Sequence, residues 1–310
     1  MSSTRSNRSG IRRGALLGAA TVVTLAFAVA GCGSPAGSAT VASAPTGGSA
    51  PAPAASSPAP EVVTIQASEW AFTITGSPHA GLVEIHASNL GAVSHEFGLV
   101  RVKDGVTLAQ VKKSLAKGED AARALQAAPD TEITTAGIAG PRVNQHVVVP
   151  LVAGHYVVTS FLPDSGGRSQ VDRGMIGEFT VLAADARAAA PPATSGTVTL
   201  SDSSIALPDG FAKGGTFEVT NAGTKPHDFS VAQLEDEPLP AYFQCVGQSY
   251  GAGTPIDRCP GVLQGGVTTL QPGASAYVTM VFGAGEFGYV STQGDGADFQ
   301  AGLNGTFRNP

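Results

Sequence analysis

Two histidines stand in a motif that this chain uses twice. Residues 89–97 read Asn-Leu-Gly-Ala-Val-Ser-His-Glu-Phe, and residues 221–229 read Asn-Ala-Gly-Thr-Lys-Pro-His-Asp-Phe. Asn, Gly, His, an acid and Phe return at the same spacing. An imidazole so placed can ligate a metal, move a proton, or staple a loop by bonding a carbonyl or hydroxyl. Other residues with soft chemistry include Met175 and the three cysteines Cys32, Cys245 and Cys259. There is no His-x-His pair of metal ligands, no His-Glu-x-x-His and no phosphate-binding glycine loop. No catalytic constellation is found, and an enzyme is not expected.

The elements around the histidines repeat as well. Val83, Ile85 and Ala87 alternate before the first motif, and Phe217 and Val219 before the second. A strand therefore feeds a glycine turn, with the histidine at the start of the next strand. Trp70 and Phe72 align with Ile205 and Leu207. Gly154-His155-Tyr156 leading to Ser160 aligns with Gly285-Glu286-Phe287 leading to Ser291. Gly174-Met175-Ile176-Gly177 aligns with Gly302-Leu303-Asn304-Gly305. The offset drifts from about 135 to about 128 residues, which marks tandem domains with unequal loops. The first domain is expected over 61–183, a linker over 184–195 and the second domain over 196–310.

In the first domain, strands are expected at 62–67, 70–75, 82–88, 95–102, 145–151, 155–161 and 177–182. An insertion at 106–128 carries a helix capped by Thr107, with Leu108, Val111 and Leu115 on one face. A second short helix can run over 119–127. The helices form a cap on the sandwich edge, with a partner surface as the rival reading. The second domain's insertion, 232–266, shows no helical periodicity. Trp70 is expected in core packing, His79, His86 and His146 at the surface or strand edges, and His155 facing away from the His95 side.

Residues 1–31 have the layout of a secretory signal: four arginines, then an apolar run from Ala15 to Ala30. The run is about 16 residues, short of the roughly 20 that span a bilayer. Val29-Ala30-Gly31-Cys32 resembles the lipobox of bacterial lipoproteins, which implies acylation (palmitate or a similar chain) at Cys32. The protein would then be anchored to the outer face of the cell membrane. Export by the general or the twin-arginine route is left open by Arg12-Arg13. Residues 33–60 hold only Gly, Ser, Pro, Ala, Thr and Val. With the modified cysteine they form a tether over 32–60. Outside the cell, Cys245 and Cys259 remain as a pair and are expected to be disulfide-bonded. Metal binding by that pair, the alternative, lacks a neighbouring histidine. The formal charge is −6, and loss of the leader's arginines takes it to about −10. Nucleic acid is not an expected partner.

Both halves resemble cupredoxins, the Greek-key β-sandwiches that include blue copper proteins. The carriers are Asn89, Gly91 and His95, then Gly154, Tyr156 and Ser160, then Gly174-Met175, with their counterparts in the second half. The resemblance implies an all-β chain of two tandem sandwiches, the first with a short helical insertion. It also implies where the copper ligands of the family would fall. Those positions are His95, Ser160, Gln170 and Met175 in the first half, and His227, Ser291, Asp298 and Leu303 in the second. The family's cysteine is serine in both halves, and its second histidine is Gln170 or Asp298. A blue site needs a thiolate, so the sites read as vestigial. No cofactor and no metal are expected, and His95 and His227 staple their loops. The expected function is a non-enzymatic binding or scaffold module for a protein or small molecule not specified by the sequence. The alternative is copper handling, with Cu(I) held by His95 and Met175 for delivery or storage, or electron transfer by a non-standard site.

Overall fold

A computed structural model describes residues 58–117, 124–127, 132–185, 188–252, 255–294 and 296–310. The expected leader, Cys32 and nearly all of the tether lie outside the described residues. So does most of the second helix expected over 119–127; its described part, 124–127, is turn, with Gln126 bridged to Val102.

Strong alternation makes the first half a sandwich. Strands β1 (Glu61–Ser68), β2 (Ala71–Thr75), β3 (Gly81–Asn89), β4 (His95–Val102), β6 (Asn144–Leu151), β7 (Gly154–Thr159) and β8 (Ile176–Val181) lie where the sequence places them. An eighth strand, β5 (Glu132–Ala139), was not among the expected ones. It pairs with β4 across a bulge between Glu96 and Gly98. In the second half the strands are β9 (Thr197–Ser201), β10 (Ser204–Ala206), β11 (Gly215–Asn221), β12 (His227–Leu234), β13 (Gly261–Leu270), β14 (Ser275–Met280), β15 (Gly285–Val290) and β16 (Asn304–Asn309).

The two halves share one sheet of eight strands, in the order β10-β9-β11-β14-β6-β3-β1-β2. The seam is the antiparallel pairing of β6 with β14, Val147 opposite Val278. Pairing two edges removes both as templates for aggregation. Each half completes its sandwich with a four-stranded sheet, β5-β4-β7-β8 or β13-β12-β15-β16. Buried side chains from both halves, Val63, Phe97 and Tyr156 as well as Phe217, Phe229 and Phe287, form one contiguous core. Each large side chain so buried contributes about 1.5–3 kcal/mol. The stretch expected as a linker, 184–195, contains no strand or helix among its described residues.

Pairing corrects one detail of the internal alignment. In the β1–β2 hairpin Ala67 opposes Phe72, and in the β9–β10 hairpin Leu200 opposes Ile205. Phe72, not Trp70, therefore corresponds to Ile205, and Trp70 corresponds to Ser203 in the turn. The slip was two residues, which preserves the facing of every side chain and so leaves the apolar pattern intact. Trp70 is partly buried against the core, with the Arg173 guanidinium 5.1 Å from its ring centroid.

Both insertions contain helices. Helix α1 (Leu108–Leu115) begins with a capping box: Thr107 Oγ1 accepts from Gln110 N–H at 3.3 Å, and Thr107 N–H donates to Gln110 Oε1 at 2.8 Å. Its buried Val111 packs with Val102, Val157 and Ile176 on the outer side of the β4–β7 sheet, in keeping with the cap reading. In the second insertion, helix α3 (Leu239–Ala252) contradicts the expectation of no helix. Leu239, Tyr242, Val246 and Ser249 supply an inward face at helical spacing. Pro240 is tolerated in the first turn, where its missing N–H costs nothing. Gly247 and Gly251, poor helix formers, obscured the period. The expected disulfide joins Cys245 on α3 to Cys259, with Cα atoms 5.5 Å apart.

Candidate functional site

Each histidine site is built from the same parts. The repeated Asn sets the turn. Asn89 Nδ2 donates to Val93 O (2.8 Å) and Ala139 O (2.9 Å), and its Oδ1 accepts from Gly91 N–H (2.9 Å). Asn221 does the same with Lys225 O (2.8 Å), Leu270 O (2.7 Å) and Gly223 N–H (2.9 Å). The glycine two residues on is needed for closeness. A Cβ on Gly91 would lie 3.0 Å from His95 Nε2, and one on Gly223 would lie 2.9 Å from His227 Nε2. An acid from the preceding hairpin turn holds the loop: Glu69 accepts from Ala92 N–H, and Asp202 from Thr224 N–H at 2.8 Å. Sequence reading missed Glu69 and Asp202 because they precede their motifs by a whole strand; the corrected hairpin register is what pairs them.

In the first half, His95, Ser160, Gln170 and Met175 are all buried. Gln170 opens the short helix α2 (Gln170–Arg173), whose C-terminal Gly174 adopts φ +111°. Gln170 Nε2 donates to Ser94 O at 2.9 Å, which fixes the amide orientation. Its Oε1 then accepts twice, from His95 Nδ1 at 2.8 Å and from Ser160 Oγ at 2.8 Å. Ser160 Oγ in turn accepts from Glu96 N–H at 3.0 Å. An amide oxygen cannot donate, so His95 carries its proton on Nδ1 and its ring lone pair on Nε2. Burial lowers the His95 pKa below its ordinary value, against the opposing effects of the Gln170 bond and the Glu69 and Asp257 charges. Met175 meets the group through its backbone, Met175 N–H to Gln170 O at 3.0 Å and Ser160 N–H to Met175 O at 3.2 Å.

The second half repeats the plan with charge. His227, Ser291, Asp298 and Leu303 are buried, Asp298 on the short helix α4 (Ala297–Ala301). Asp298 Oδ2 takes the place of the Gln170 oxygen, 2.6 Å from His227 Nδ1 and 2.5 Å from Ser291 Oγ. His227 Nε2 lies 3.0 Å from Asp202 Oδ1, so both ring nitrogens face carboxylates. Bonds from Thr224 and His227 hold the Asp202 carboxyl far below its ordinary range. Ser291 Oγ also lies 2.7 Å from Asp228 Oδ1. One hydroxyl proton cannot serve two carboxylates, so one of these contacts is an acid O–H donating to Ser291. Burial pushes the Asp228 pKa up, the direction that favours a proton on Asp228 over Asp298. The order is therefore Asp228, Ser291, Asp298, His227, Asp202.

Neither arrangement is a hydrolase triad. There the histidine lies between serine and acid so that it can take the hydroxyl proton. Here the amide or acid lies between. Nor do the residues fit a blue copper ion. At the first site the His95 nitrogen facing Ser160 and Gln170 is a donor, leaving no lone pair to ligate, and the remaining groups are a hydroxyl and an amide. At the second site the equivalent nitrogen is held by Asp298, and Leu303 has no sulfur.

A Gly-x-Ser-x-Gly string runs from Gly247 to Gly251. It lies inside α3, not at a strand-to-helix elbow, and Ser249 Oγ, on a buried residue, donates to Cys245 O at 3.1 Å. A nucleophile elbow needs an exposed serine on a strained turn. His155 faces away from the site as expected, with Nε2 2.8 Å from Glu178 Oε2.

The second half covers the first site. Both carboxylate oxygens of Asp257 lie 3.0 Å from Ser94 N–H, one residue before His95. Asp257 sits in the turn Ile256–Arg258, beside Cys259. Leu162, two residues after Ser160, is buried among Tyr242, Ile256, Cys259 and Leu263 of the second insertion.

Among solved structures, one similar chain is a reduced auracyanin from Roseiflexus castenholzii, at 21% identity over 40% of this chain and 98% of that one, with a TM-score of 0.28. Auracyanin A from Chloroflexus aurantiacus matches at 23% identity over 39% and 98%, with a TM-score of 0.27. A multicopper oxidase matches at 13% identity over 80% and 88%, with a TM-score of 0.24. No family model and no curated protein matches. The sheets themselves make the fold an all-β chain of two sandwiches joined through one shared sheet.

Proposed function

We propose that this chain is an exported, lipid-anchored cell-surface protein whose two degenerate cupredoxin-like domains act as a non-enzymatic binding or scaffold module. One observation carries the reading. In both halves the positions where the resemblance puts copper ligands are joined to one another by hydrogen bonds, His95–Gln170–Ser160 and His227–Asp298–Ser291. The shared eight-stranded sheet supports it, because it presents both sandwiches as one unit suited to holding a surface rather than to moving around a substrate. The leader, the Val-Ala-Gly-Cys junction and the tether are what support a place at the outer face of the membrane.

Copper handling through His95 and Met175 would require the His95–Gln170 bond to break. The test is the copper content of the purified chain, compared with a variant carrying His95→Ala and Met175→Leu. The expected result is no difference between the two. One equivalent in the wild type that is lost in the variant replaces the scaffold reading with copper handling. Cys32→Ser should release the protein from the membrane fraction; a variant that still partitions wholly with membranes removes the anchor.

A further inference from the structure

The outer face of the shared sheet carries a cluster that the two histidine sites do not use. Strands β3 and β6 run antiparallel, with His86 directly opposite His146 and Glu84 opposite Val148. Alternation puts Glu84 and His86 on one face of β3 while Val83, Ile85 and Ala87 fill the core on the other. The two imidazole centroids are 4.1 Å apart. Glu84 Oε1 lies 2.9 Å from His86 Nε2 and 3.5 Å from His146 Nδ1. One donor atom from each of the three residues lies within 4.8 Å of the other two.

These separations suit a cation. Around a tetrahedral ion with bonds of about 2.0–2.1 Å, neighbouring donors stand about 3.3 Å apart. His86 Nε2 is shielded from solvent and makes no hydrogen bond of acceptable geometry among the described residues, although Glu84 Oε1 is so near. The side chains of Glu84, His86 and His146 are 29%, 33% and 45% exposed. Protein donors therefore cover one side, and further coordination positions face water. The platform is stiff: Thr64, His86, His146 and Thr279 form one row through four paired strands, the last from the second half.

We propose that Glu84, His86 and His146 form a surface site for one borderline divalent cation, Zn²⁺ or Cu²⁺. Two imidazoles and a carboxylate are a donor set these ions accept, whereas Mg²⁺ and Ca²⁺ prefer oxygen alone. The cluster of Glu61, His79 and Asp185 is the weaker candidate, with a single imidazole that already bonds Glu61 at 3.0 Å. The proposal rests on the sheet face and is independent of the scaffold reading, which concerns His95 and His227.

The full chain in detergent, stripped with a chelator, is titrated with Zn²⁺ by calorimetry and with Cu²⁺ by paramagnetic resonance. Zn²⁺ should bind at one equivalent. His86→Ala and His146→Ala should each weaken it by about tenfold or more, and the double variant should lose it. Glu84→Gln should weaken it less, and His95→Ala should leave it unchanged. Bound Cu²⁺ should show coupling to two nitrogens and no intense visible band. Without metal, the variants should unfold at the wild-type temperature, because the three side chains are partly exposed. If the double variant fails to fold, His146→Gln gives the same reading with the side-chain bulk kept. No stoichiometric binding, or binding that survives the double variant, overturns the proposal. Binding lost with His95→Ala alone overturns both this site and the scaffold reading.

Discussion

The two histidine sites solve one problem with different chemistry. In each, a histidine N–H and a serine O–H converge on a single oxygen. At the first site that oxygen is the amide of Gln170, whose NH₂ is satisfied by Ser94 O. The neutral set comprises three side chains and two backbone groups, Ser94 O and Glu96 N–H, and leaves His95 Nε2 without a hydrogen bond among the described residues. At the second site the oxygen belongs to Asp298, and the carboxylate brings a charge into the core. The network then extends outward through His227 to Asp202, and through Ser291 to Asp228 and Thr292. A buried charge requires partners, and those partners are themselves ionisable. An amide thus gives a small neutral plug; a carboxylate gives a longer, charged chain.

The all-or-none test of this comparison is optical. In the first half the His95 Nδ1 points at both exchanged residues, and Met175 follows Gln170 on the same loop. Ser160→Cys with Gln170→His should therefore yield intense thiolate-to-copper absorption, while wild type loaded with Cu²⁺ stays without it. Both changes are close in volume, which a packed site tolerates best. The matching pair in the second half, Ser291→Cys with Asp298→His, leaves Leu303 without a thioether and Asp202 on His227. It should give a weaker band or none until Leu303→Met is added. A folded, copper-replete but colourless first-half variant would mean that Ser160 or Gln170 is not at a ligand position.

Deleting each imidazole separates the sites by energy. His227→Ala leaves a buried Asp298 without its imidazole partner and should cost about 3–5 kcal/mol. His95→Ala leaves Gln170 bonded to Ser160 and Ser94, and should cost about 1–3 kcal/mol. Urea unfolding at neutral pH measures both. The reverse ranking would mean that the second network relaxes around the loss.

The disulfide is the next lever. Cys245→Ser with Cys259→Ser should cost about 2–4 kcal/mol. From sequence, this loss would be confined to the second half. The structure alters that: Cys259 and Ile256 pack on Leu162, and Asp257 caps Ser94. Hydrogen exchange at the Ser94 amide should therefore rise in the variant, while the Thr292 amide of the second site keeps its protection. Equal protection at both would uncouple the insertion from the first site.

Much of this was legible because period-two alternation is strong wherever one sheet face is buried. The strands flanking both histidines and the cysteine pair could be read directly, whereas Ser160, Gln170 and Met175 were picked out only through the resemblance to cupredoxins. Strand β5 could not, because it lies in the stretch between the expected insertion, 106–128, and the strand expected at 145–151, and its partner β4 supplies the order. Helix α3 was masked by two glycines and a proline. The seam of β6 with β14 had no signal at all, since edge pairing between halves depends on shape rather than on pattern. Glu69 and Asp202 were hidden by distance along the chain. The tautomer of His95 depends on Ser94 O holding an amide, which only coordinates reveal.

The smallest effect is the one that most sharply tells the sites apart, because it has opposite signs in the two. Burial lowers the His95 pKa from 6.5, so on acidification the unfolded chain takes the proton first. The first site therefore loses stability as pH falls below 6.5 toward its folded value. Burial raises the Asp228 pKa from 3.8, so there the folded chain takes the proton first. The second site thus gains stability as pH falls through the raised folded value toward 3.8. His95→Gln removes the loss and should flatten the decline of the urea midpoint between neutral and mildly acidic pH. Asp228→Asn removes the gain and should steepen the same decline, while being close to neutral for stability at pH 7 because its carbonyl can still accept from Thr292 N–H. If both variants tilt the profile the same way, the proton assigned to Asp228 is misplaced, and Ser291 must then donate to it rather than to Asp298.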